Sequence, residues 1–268
     1  MVIGFIGLGN MASAMIGGML EKGLVQPSDV IGSDKSEEMT ERAQNKYGIT
    51  TTPDNEEVAK EADILFLAVK PIAFPEVIEE VKDVVRSDTI IVSIAAGRDL
   101  VYLREAFNRP SLKLIRCMPN TPALVMAGCT GVCPGQRVTD EDLDKVMKLL
   151  NAFGTASVVP ERLMDVVVGI SGSSPAYVFL FIEAMADAAV AGGMPRKQAY
   201  EFAAQAVMGS AKMVLETGMH PGQLKDMVCS PSGTTIDAVK VLEEKGFRAA
   251  VIDAVEACIE KSKDMAKR

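Results

Sequence analysis

Residues 2–12 read Val-Ile-Gly-Phe-Ile-Gly-Leu-Gly-Asn-Met-Ala, and this stretch decides the fold of the first half of the chain. The apolar run Val2–Ile6 predicts a buried strand. The apolar residues of Met11–Lys22 recur at helical spacing, so they predict a helix directly after the strand. A strand that passes through a glycine-rich turn into a helix indicates the opening of a β-α-β unit.

The turn between this strand and helix has the pattern G-x-G-x-x-A. Gly7 permits a tight turn, Gly9 lets a pyrophosphate approach the backbone, and Ala12 lets the helix pack close to the strand. We therefore predict a Rossmann-like dinucleotide-binding domain, with an ordinary glycine-rich connection as the alternative. The residues of the turn predicted to contact the cofactor are Ile6, Gly7, Leu8, Gly9, Asn10 and Met11.

Further along the chain, strand and helix patterns alternate as far as about Pro160, and only helical patterns follow. Buried strands that alternate with helices indicate a parallel sheet covered on both faces. The predicted domains are therefore residues 1–159, an α/β NAD(P)-binding domain, and residues 160–268, an all-helical dimerisation and substrate-binding domain. The predicted strands and helices of the first part are Val30–Ser33, Glu37–Tyr47, Ile64–Val69, Thr89–Ile94, Leu112–Cys117 and Asp140–Leu150. Those of the second part are Arg162–Val168, Pro175–Ala191, Arg196–Glu216, His220–Val228, Thr235–Glu244 and Phe247–Met265.

Charge and composition exclude several classes of partner. With 36 acidic and 28 basic residues the formal net charge is −8, which argues against nucleic acid or an anionic membrane as the main partner. The run Pro175–Gly193 is apolar, but Glu183 and Asp187 lie in its middle, so we expect a buried helix at a subunit interface rather than a membrane span. The chain has no Trp and 16 Met, which favours close, adaptable packing between helices and a homo-oligomer.

The five cysteines are scattered and lack the spacing of a metal site. We expect reduced thiols, a cytoplasmic protein and no metal. The chain opens on a strand pattern without a basic and apolar leader, so no secretory signal is expected.

The end of the second predicted strand should reach the adenosine ribose of the cofactor. Asp34 would accept hydrogen bonds from the ribose hydroxyls of NAD, whereas Ser33, Lys35 and Ser36 would hold the 2′-phosphate of NADP. A carboxylate opposes that phosphate and an ammonium favours it, so the choice stays open at this point. Asp34 or Ser36 as a cap of the following helix is a further alternative.

Other predicted strands end at the same edge of the sheet, where ligands of such folds bind. The residues there that are predicted to contact the cofactor are Ala68, Val69, Lys70, Pro71, Ala96 and Asn120. Lys70 would lie near the phosphates or the nicotinamide, and Asn120 would hold the nicotinamide carboxamide. A solvated lysine and a rigid turn are the alternatives.

The run Ser230-Pro231-Ser232-Gly233-Thr234-Thr235-Ile236 is a short loop of small polar residues that opens a predicted helix. The first N–H groups of a helix have no intrahelical partner and carry partial positive charge. We therefore predict that the N–H groups of residues 233 to 235 hold a small carboxylate, while the Thr235 hydroxyl contacts a nitrogen of the same ligand.

With these motifs in place, nearly the whole chain resembles the Δ1-pyrroline-5-carboxylate reductases. The segments that carry the resemblance are Ile6–Met11, Phe66–Pro71, Ile115–Pro122, Gly169–Tyr177, His220–Asp226 and Ser230–Ile236. The last segment is the signature of the family and is highly specific, whereas the cofactor motif alone is not.

The resemblance implies NADPH-dependent reduction, with NADH as the alternative, of the cyclic imine 1-pyrroline-5-carboxylate to L-proline, the final step of proline biosynthesis. It also implies a homodimer with interleaved C-terminal helices, which assembles into a larger ring such as a decamer. Thr235 corresponds to the catalytic hydroxyl, and Asn55 to a contact with the adenosine part of the cofactor. The substrate-binding residues implied are Glu161, Val228, Ser230, Gly233, Thr234 and Thr235. Two departures are Ser232, in place of a second glycine, and Met227, where some relatives carry Asn.

Two other functions are compatible with parts of this pattern. A β-hydroxyacid dehydrogenase also joins a glycine-rich Rossmann start to a helical domain, and it would need Lys212 as its acid and base; we favour a solvent-facing lysine instead. A non-catalytic NAD(P)-sensing module would not need Thr235. For His220, the only histidine, we expect a capping or packing role rather than that of an acid.

Overall fold

A computed structural model of the chain describes residues 1–266, and its first half is built on one eight-stranded sheet. The strands lie in the order β3-β2-β1-β4-β5-β6-β7-β8. Their bounds are β1 Ile3–Ile6, β2 Val30–Ser33, β3 Thr50–Thr52, β4 Ile64–Leu67, β5 Ile90–Ser93, β6 Lys113–Met118, β7 Gly128–Pro134 and β8 Gly154–Val158. All residues of β1, β2, β4 and β5 are buried, as expected for strands covered on both faces.

The direction of the strands changes once across the sheet. Strands β1 to β6 are parallel, as predicted, but β7 pairs with β6 in antiparallel fashion and β8 runs parallel to β7. The expectation of a wholly parallel sheet was therefore wrong at its far edge. The sheet remains a Rossmann-type arrangement in which the carboxyl ends of β1 to β6 share one edge.

Helices cover both faces of the sheet and form a core on each side. The helices of this part are α1 Asn10–Glu21, α2 Glu37–Tyr47, α3 Asn55–Glu61, α4 Phe74–Val81, α5 Leu100–Phe107, α6 Asp140–Leu150 and α7 Met164–Val167. On one face Phe5 stacks on Phe66, with ring centroids 4.8 Å apart, beneath α1 and α6. On the other face Ile6, Leu65 and Leu67 pack against α3, α4 and α5.

The second half of the chain is helical, as predicted. A π-helical turn at Val168–Gly172 leads into α8 Ser174–Ala191, which is followed by α9 Arg196–Thr217, α10 Pro221–Val228, α11 Thr234–Glu244 and α12 Phe247–Ala266. Helices α8 and α9 pack on each other. Between α8 and α12, Phe181 lies against Phe247 with ring centroids 6.0 Å apart.

The chain divides into two compact units. Unit 1 contains Met1–Ser173 together with the described residues from Cys258 onward, and unit 2 is Ser174–Ala257. Within unit 1, the Ser262 hydroxyl donates to Oδ1 of Asp165 at 2.7 Å, and a Cβ on Gly97 would lie 3.3 Å from Cβ of Met265. The last turns of α12 therefore pack against the rest of unit 1, which contains the sheet. The functional domain boundary at residues 159/160 remains a prediction.

Unit 2 exposes large apolar side chains on its longest helices. On α8, Phe179 and Leu180 are 62% and 67% exposed, and on α9 Phe202 is 61% exposed. The segment Glu161–Ala191 is long and apolar enough to cross a membrane, and an 18-residue window within it has a mean hydropathy of 1.5. An exposed apolar surface of this extent marks an interaction site.

Asp142 provides a test of how α6 is held to the sheet. The residue is 5% exposed, and its carboxylate accepts hydrogen bonds from Nζ of Lys113 at 2.9 Å and from the Thr139 hydroxyl at 2.8 Å. Burial alone would raise the pKa of Asp142, but these bonds outweigh it and hold the pKa below its ordinary value. A carboxyl whose folded-state pKa is lowered contributes stability above its unfolded-state pKa, and loses that contribution as the pH falls through the folded-state pKa.

We therefore expect Asp142→Asn to lower the free energy of unfolding by about 1 kcal/mol at neutral pH, and by less near pH 3. Urea denaturation of both proteins at the two pH values measures the difference. Asp144→Asn, a neighbouring exposed carboxylate, serves as the control and should change little. A loss as large in acid as at neutral pH would show that Asp142 acts through packing instead.

Candidate functional site

The glycine-rich turn lies at the carboxyl edge of the sheet and is held there by backbone bonds. Gly7 has a φ of +93°, and its N–H donates to the carbonyl of Ser33 at 2.8 Å. A Cβ at Gly7 would lie 2.8 Å from the carbonyl oxygen of Ala68, so the turn has no room for a side chain. A Cβ at Gly9 would meet no protein atom within 4 Å. The open space above Gly9 is where a ligand can approach the backbone and the start of α1.

Asp34 fixes the position of this turn. Its Oδ2 accepts the N–H of Leu8 at 2.8 Å, and its Oδ1 accepts the N–H of Ser36 at 2.9 Å. Asp34 therefore joins the turn after β1 to the start of α2. Ser36 occupies the N-cap position of α2, as one alternative expected, but its side chain makes no capping hydrogen bond.

Ser33 and Asn55 form a second polar group beside Asp34. Ser33 is fully buried and donates its hydroxyl to Oδ1 of Asn55 at 2.7 Å, while Nδ2 of Asn55 donates to Glu80. Of the residues predicted to hold a 2′-phosphate, Lys35 and Ser36 thus remain nearer the surface. Nζ of Lys35 forms an ion pair with Glu76 at 2.7 Å, and both side chains are 62% exposed.

A cleft of about 370 Å³ opens between the turn and the first residues of α4. Nine of the residues predicted to contact the cofactor line it: Ile6, Gly7, Gly9, Asp34, Lys35, Asn55, Ala68, Val69 and Lys70. Lys70 is exposed at its rim. Ile72, Ala73, Glu76 and Val77 also line the cleft and were not anticipated, because α4 itself was not predicted.

Leu8, Asn10, Met11, Ser33, Pro71, Ala96 and Asn120 complete the predicted cofactor set but do not line this cleft. Ala96 follows β5 at the same edge and is half-buried. Asn120 is 7% exposed, and its amide is engaged by the backbone: Nδ2 donates to the carbonyl of Ser171 at 3.0 Å, and Oδ1 accepts from Cys129 at 2.8 Å. These contacts favour the alternative of a rigid turn for Asn120.

The small-residue loop of unit 2 is a tight turn that leads into α11. The N–H of Gly233 donates to the carbonyl of Ser230 at 3.1 Å, and a Cβ at Gly233 would lie 2.4 Å from Oγ of Ser230. Ser232 has a φ of +59°, a left-handed conformation that favours glycine. The expectation that the N–H of Gly233 is available to a ligand was wrong, because the turn uses it.

The remaining N–H groups at this helix start are available. Gly233 is the N-cap of α11 and its position has no side-chain capping bond, so the N–H groups of Thr234, Thr235 and Ile236 have no intrahelical acceptor. Thr235 is half-buried, while Thr234 and Ser230 are exposed. Val228, at the end of α10, is 63% exposed. The loop offers an anion several N–H donors and a nearby hydroxyl.

Glu161 lies in unit 1 and binds a buried arginine. Its Oε1 accepts from Nη1 of Arg116 at 2.6 Å, and its Oε2 lies 3.4 Å from Sγ of Cys133. Arg116 is 3% exposed, and its Nε and Nη2 have no hydrogen-bond partner within the described residues. Burial, assisted by the charge of Glu161, raises the pKa of Cys133 to about 12. Sequence reasoning gave no role to Arg116, because a single charge within an apolar strand pattern does not reveal its partner.

Two other polar side chains have structural explanations. Nδ1 of His220 accepts the N–H of Gly222 at 3.0 Å and so caps α10, which confirms the capping role. Lys212 forms an i,i+4 ion pair with Glu216 on an exposed face of α9, as expected for a solvent-facing lysine. Neither arrangement provides the acid and base of a hydroxyacid dehydrogenase.

The sheet, its glycine-rich turn and the helical half together define a dinucleotide-dependent oxidoreductase with a separate helical domain. Family models agree: one described as NADP oxidoreductase, coenzyme F420-dependent, matches residues 2–97, and one described as pyrroline-5-carboxylate reductase dimerisation matches residues 161–265. The chain is 56% identical over 265 residues to the pyrroline-5-carboxylate reductase of Escherichia coli K12, covering 99% of this chain and 98% of that protein. It belongs to the pyrroline-5-carboxylate reductase family.

Other relatives agree in sequence and in structure. The pyrroline-5-carboxylate reductase of Methanosarcina acetivorans is 47% identical over 266 residues, which cover 99% of this chain and 98% of that protein. A solved pyrroline-5-carboxylate reductase from Coxiella burnetii matches with a TM-score of 0.92 at 34% identity, over 99% of this chain and 98% of that one. The Plasmodium falciparum pyrroline carboxylate reductase, solved with NADP bound, matches with a TM-score of 0.90 at 33% identity, over 99% of this chain and 98% of that one.

The open space above Gly9 makes a sharp prediction about the cofactor. Because an alanine Cβ there meets no protein atom, Gly9→Ala should leave the Tm unchanged. The same methyl group would block a pyrophosphate, so the Kd for NADPH should rise about tenfold or more, equivalent to about 1.4 kcal/mol. Gly7→Ala is the comparison, and it should lower both the Tm and the affinity. If Gly9→Ala bound NADPH with an unchanged Kd, the cofactor would not contact this turn.

Proposed function

We propose that this chain catalyses the NADPH-dependent reduction of 1-pyrroline-5-carboxylate to L-proline, the final step of proline biosynthesis. The observation that carries the proposal is the full-length identity of 56% with the Escherichia coli pyrroline-5-carboxylate reductase. The loop at Ser230–Ile236 supports it, since its free N–H groups suit the carboxylate of such a substrate.

The residues of unit 1 fit a dinucleotide. A Cβ at Gly9 would meet no protein atom within 4 Å, so the backbone there is open to a ligand. Lys70 supplies positive charge at the cleft, and Lys35, which is paired with Glu76, also lines it. NADPH, when bound, supplies the hydride that reduces the C=N carbon of the substrate. Lys35 and Ser36 would hold its 2′-phosphate, while Asp34 and Asn55 position the backbone and side chains around its adenosine end. NADH can use the same cleft without the phosphate contact.

The loop of unit 2 would hold the substrate. The N–H groups of Thr234, Thr235 and Ile236 bind the carboxylate, in a region where α11 also presents its positive dipole end. The Thr235 hydroxyl hydrogen-bonds the ring nitrogen and orients it as the imine becomes an amine. A threonine hydroxyl is too weak an acid to donate the proton outright, so its contribution is positioning.

We propose that the active form is a homodimer whose C-terminal helices interleave, and that dimers assemble into a ring such as a decamer. The match of residues 161–265 to a dimerisation model indicates oligomerisation. The exposed apolar side chains of α8 and α9 support an extensive helical interface. Because a second copy can cover these side chains, we propose a cytoplasmic protein rather than one inserted in a membrane.

Steady-state kinetics in the proline-forming direction, with NADPH and NADH in parallel, test the function and the cofactor together. The expected result is turnover of the cyclic imine, with a higher kcat/KM for NADPH. In Lys35→Gln the preference should shift towards NADH, whereas Lys22→Gln, an exposed lysine outside the cleft, should leave the ratio unchanged. Absence of turnover with both cofactors would overturn the proposal.

A further inference from the structure

A small pocket lined by three arginines lies at the edge of the sheet opposite the dinucleotide cleft. Its volume is about 140 Å³, and Arg104, Arg109 and Arg137 are among its lining residues. It is formed where β6 begins and antiparallel β7 ends, which is the amino-terminal edge of the parallel strands. We call it the arginine pocket. Its position separates it from Gly7, Gly9 and Asp34, which lie at the carboxyl edge.

The charge of this pocket contrasts with that of the whole chain. The formal net charge is −8, yet no aspartate or glutamate lines the arginine pocket. Within the described residues, Arg104 and Arg137 pair with no carboxylate. Three arginines therefore line one small space, and an anion bound there would offset the repulsion between their charges.

Arg109 is anchored in a way that leaves part of its guanidinium available. Its Nη1 donates to the carbonyl of Lys82 at 2.8 Å and to that of Val85 at 2.6 Å. These bonds hold the planar group in place, and among residues 1–266 neither Nε nor Nη2 of Arg109 has a hydrogen-bond partner. A guanidinium fixed on one side is preorganised to bind an oxyanion on the other, because less side-chain freedom is lost on binding.

The floor of the pocket is apolar. Leu100, Leu112 and Leu114 are 8%, 3% and 5% exposed. A low-dielectric floor strengthens the attraction between an arginine and an anion. Arg104 also lies in the last turn of α5, where the helix dipole favours a cation, but that effect does not account for Arg137 on the loop after β7.

We propose that the arginine pocket binds a small phosphorylated metabolite through its phosphoryl group. Arginines recognise tetrahedral oxyanions by paired, charge-assisted hydrogen bonds, and the volume suits one phosphoryl group rather than a dinucleotide. An adjoining cleft has room for an organic portion. It shares Leu100, Arg104, Gly135 and Gln136 with the pocket, and Val101, Val158 and the candidate substrate-binding residue Glu161 also line it. Free inorganic phosphate would satisfy the same guanidinium groups without using this cleft.

Isothermal titration calorimetry on the full chain tests the proposal, with inorganic phosphate and glycerol 3-phosphate as probes. Saturating NADP⁺ fills the cofactor cleft, and the ionic strength is held constant because exposed charges are screened by salt. Arg104→Gln and Arg137→Gln remove one guanidinium each at exposed positions, and Arg42→Gln removes an exposed arginine on α2 as the matched control. The Tm of each variant shows that it is folded.

We expect glycerol 3-phosphate to bind with 1:1 stoichiometry. Its Kd should rise at least tenfold in Arg104→Gln and in Arg137→Gln, and stay unchanged in Arg42→Gln. If glycerol 3-phosphate binds more tightly than inorganic phosphate, the result supports a phosphorylated metabolite as the ligand. If it binds equally or more weakly, the proposed metabolite is rejected and free phosphate is the ligand. Absence of binding by either probe, or an equal loss in Arg42→Gln, overturns the site itself. A failure of the protein to turn over the cyclic imine would concern the dinucleotide cleft and the loop Ser230–Ile236, and it would leave the calorimetric result interpretable.

Discussion

Thr235→Val is expected to lower the rate constant of hydride transfer by about 5- to 150-fold, which corresponds to about 1–3 kcal/mol. Valine keeps the branched shape of threonine but removes the hydroxyl, so under the proposed mechanism the ring nitrogen of the substrate would lose its hydrogen-bond partner. The backbone N–H groups of α11 remain, and therefore binding of the carboxylate should change much less. Single-turnover measurements of NADPH oxidation isolate this step from product release.

Two neighbouring substitutions serve as controls for this expectation. Thr235→Ser retains a hydroxyl and should recover most of the rate, whereas Thr234→Val removes the hydroxyl of the adjacent exposed residue and should have little effect. The binding of L-proline, followed by calorimetry, shows whether the loop is still formed. An unchanged single-turnover rate in Thr235→Val would remove this hydroxyl from the mechanism.

Loss of Glu161 is expected to destabilise unit 1 strongly. Arg116 is 3% exposed and Glu161 is its only ion-pair partner among the described residues. Glu161→Ala would leave a buried guanidinium without a counter-charge, and the free energy of unfolding should fall by about 3 kcal/mol. We place the loss at the lower end of the usual range because the Glu161 side chain is 36% exposed, so water reaches part of the pair.

Removing Arg116 instead of Glu161 should lower the free energy of unfolding by less, and this asymmetry makes the prediction specific. Arg116→Met leaves Glu161 able to take up water, and the combination of Arg116→Met with Glu161→Ala removes both charges. The double variant should be more stable than Glu161→Ala alone, as found when buried ion pairs are replaced by apolar residues. Denaturant titrations of the four proteins give the coupling free energy directly. If Glu161→Ala and Arg116→Met cost the same, the interpretation as an uncompensated buried charge is wrong.

The fold could be predicted where the sequence pattern and the local structure agree. Val30–Ser33, Glu37–Tyr47 and Asp140–Leu150 were predicted to the residue, because a buried apolar run or an amphipathic helix has clear ends there. In contrast, β3 is three threonines, and β8 is mostly exposed, so neither has the apolar character of a central strand. β7 contains Gly128 and Gly131, whose missing side chains weaken the strand pattern.

The candidate site was predicted in outline but not in its hydrogen bonds. The motif correctly identified a turn with open space above Gly9, since that depends on neighbouring residues alone. Whether the Asn120 amide or the Gly233 N–H is available depends on partners that folding brings near, such as the carbonyls of Ser171 and Ser230. No spacing rule in the chain reveals such partners. The substrate roles of Ser230, Thr234, Thr235, Val228 and Glu161 stay predictions.

The left-handed backbone of Ser232 bears on the thermodynamics of ligand capture by its loop. A glycine at position 232 would sample both positive and negative φ in the unliganded state, and binding of a ligand would have to restrict it to one conformation. Serine, once folded into the turn, has few other conformations open to it, so the ordering cost falls on folding and not on association. A carboxylate that binds here as proposed would meet a loop that is already rigid. The entropic penalty on binding would then be smaller, and the unliganded protein slightly less stable.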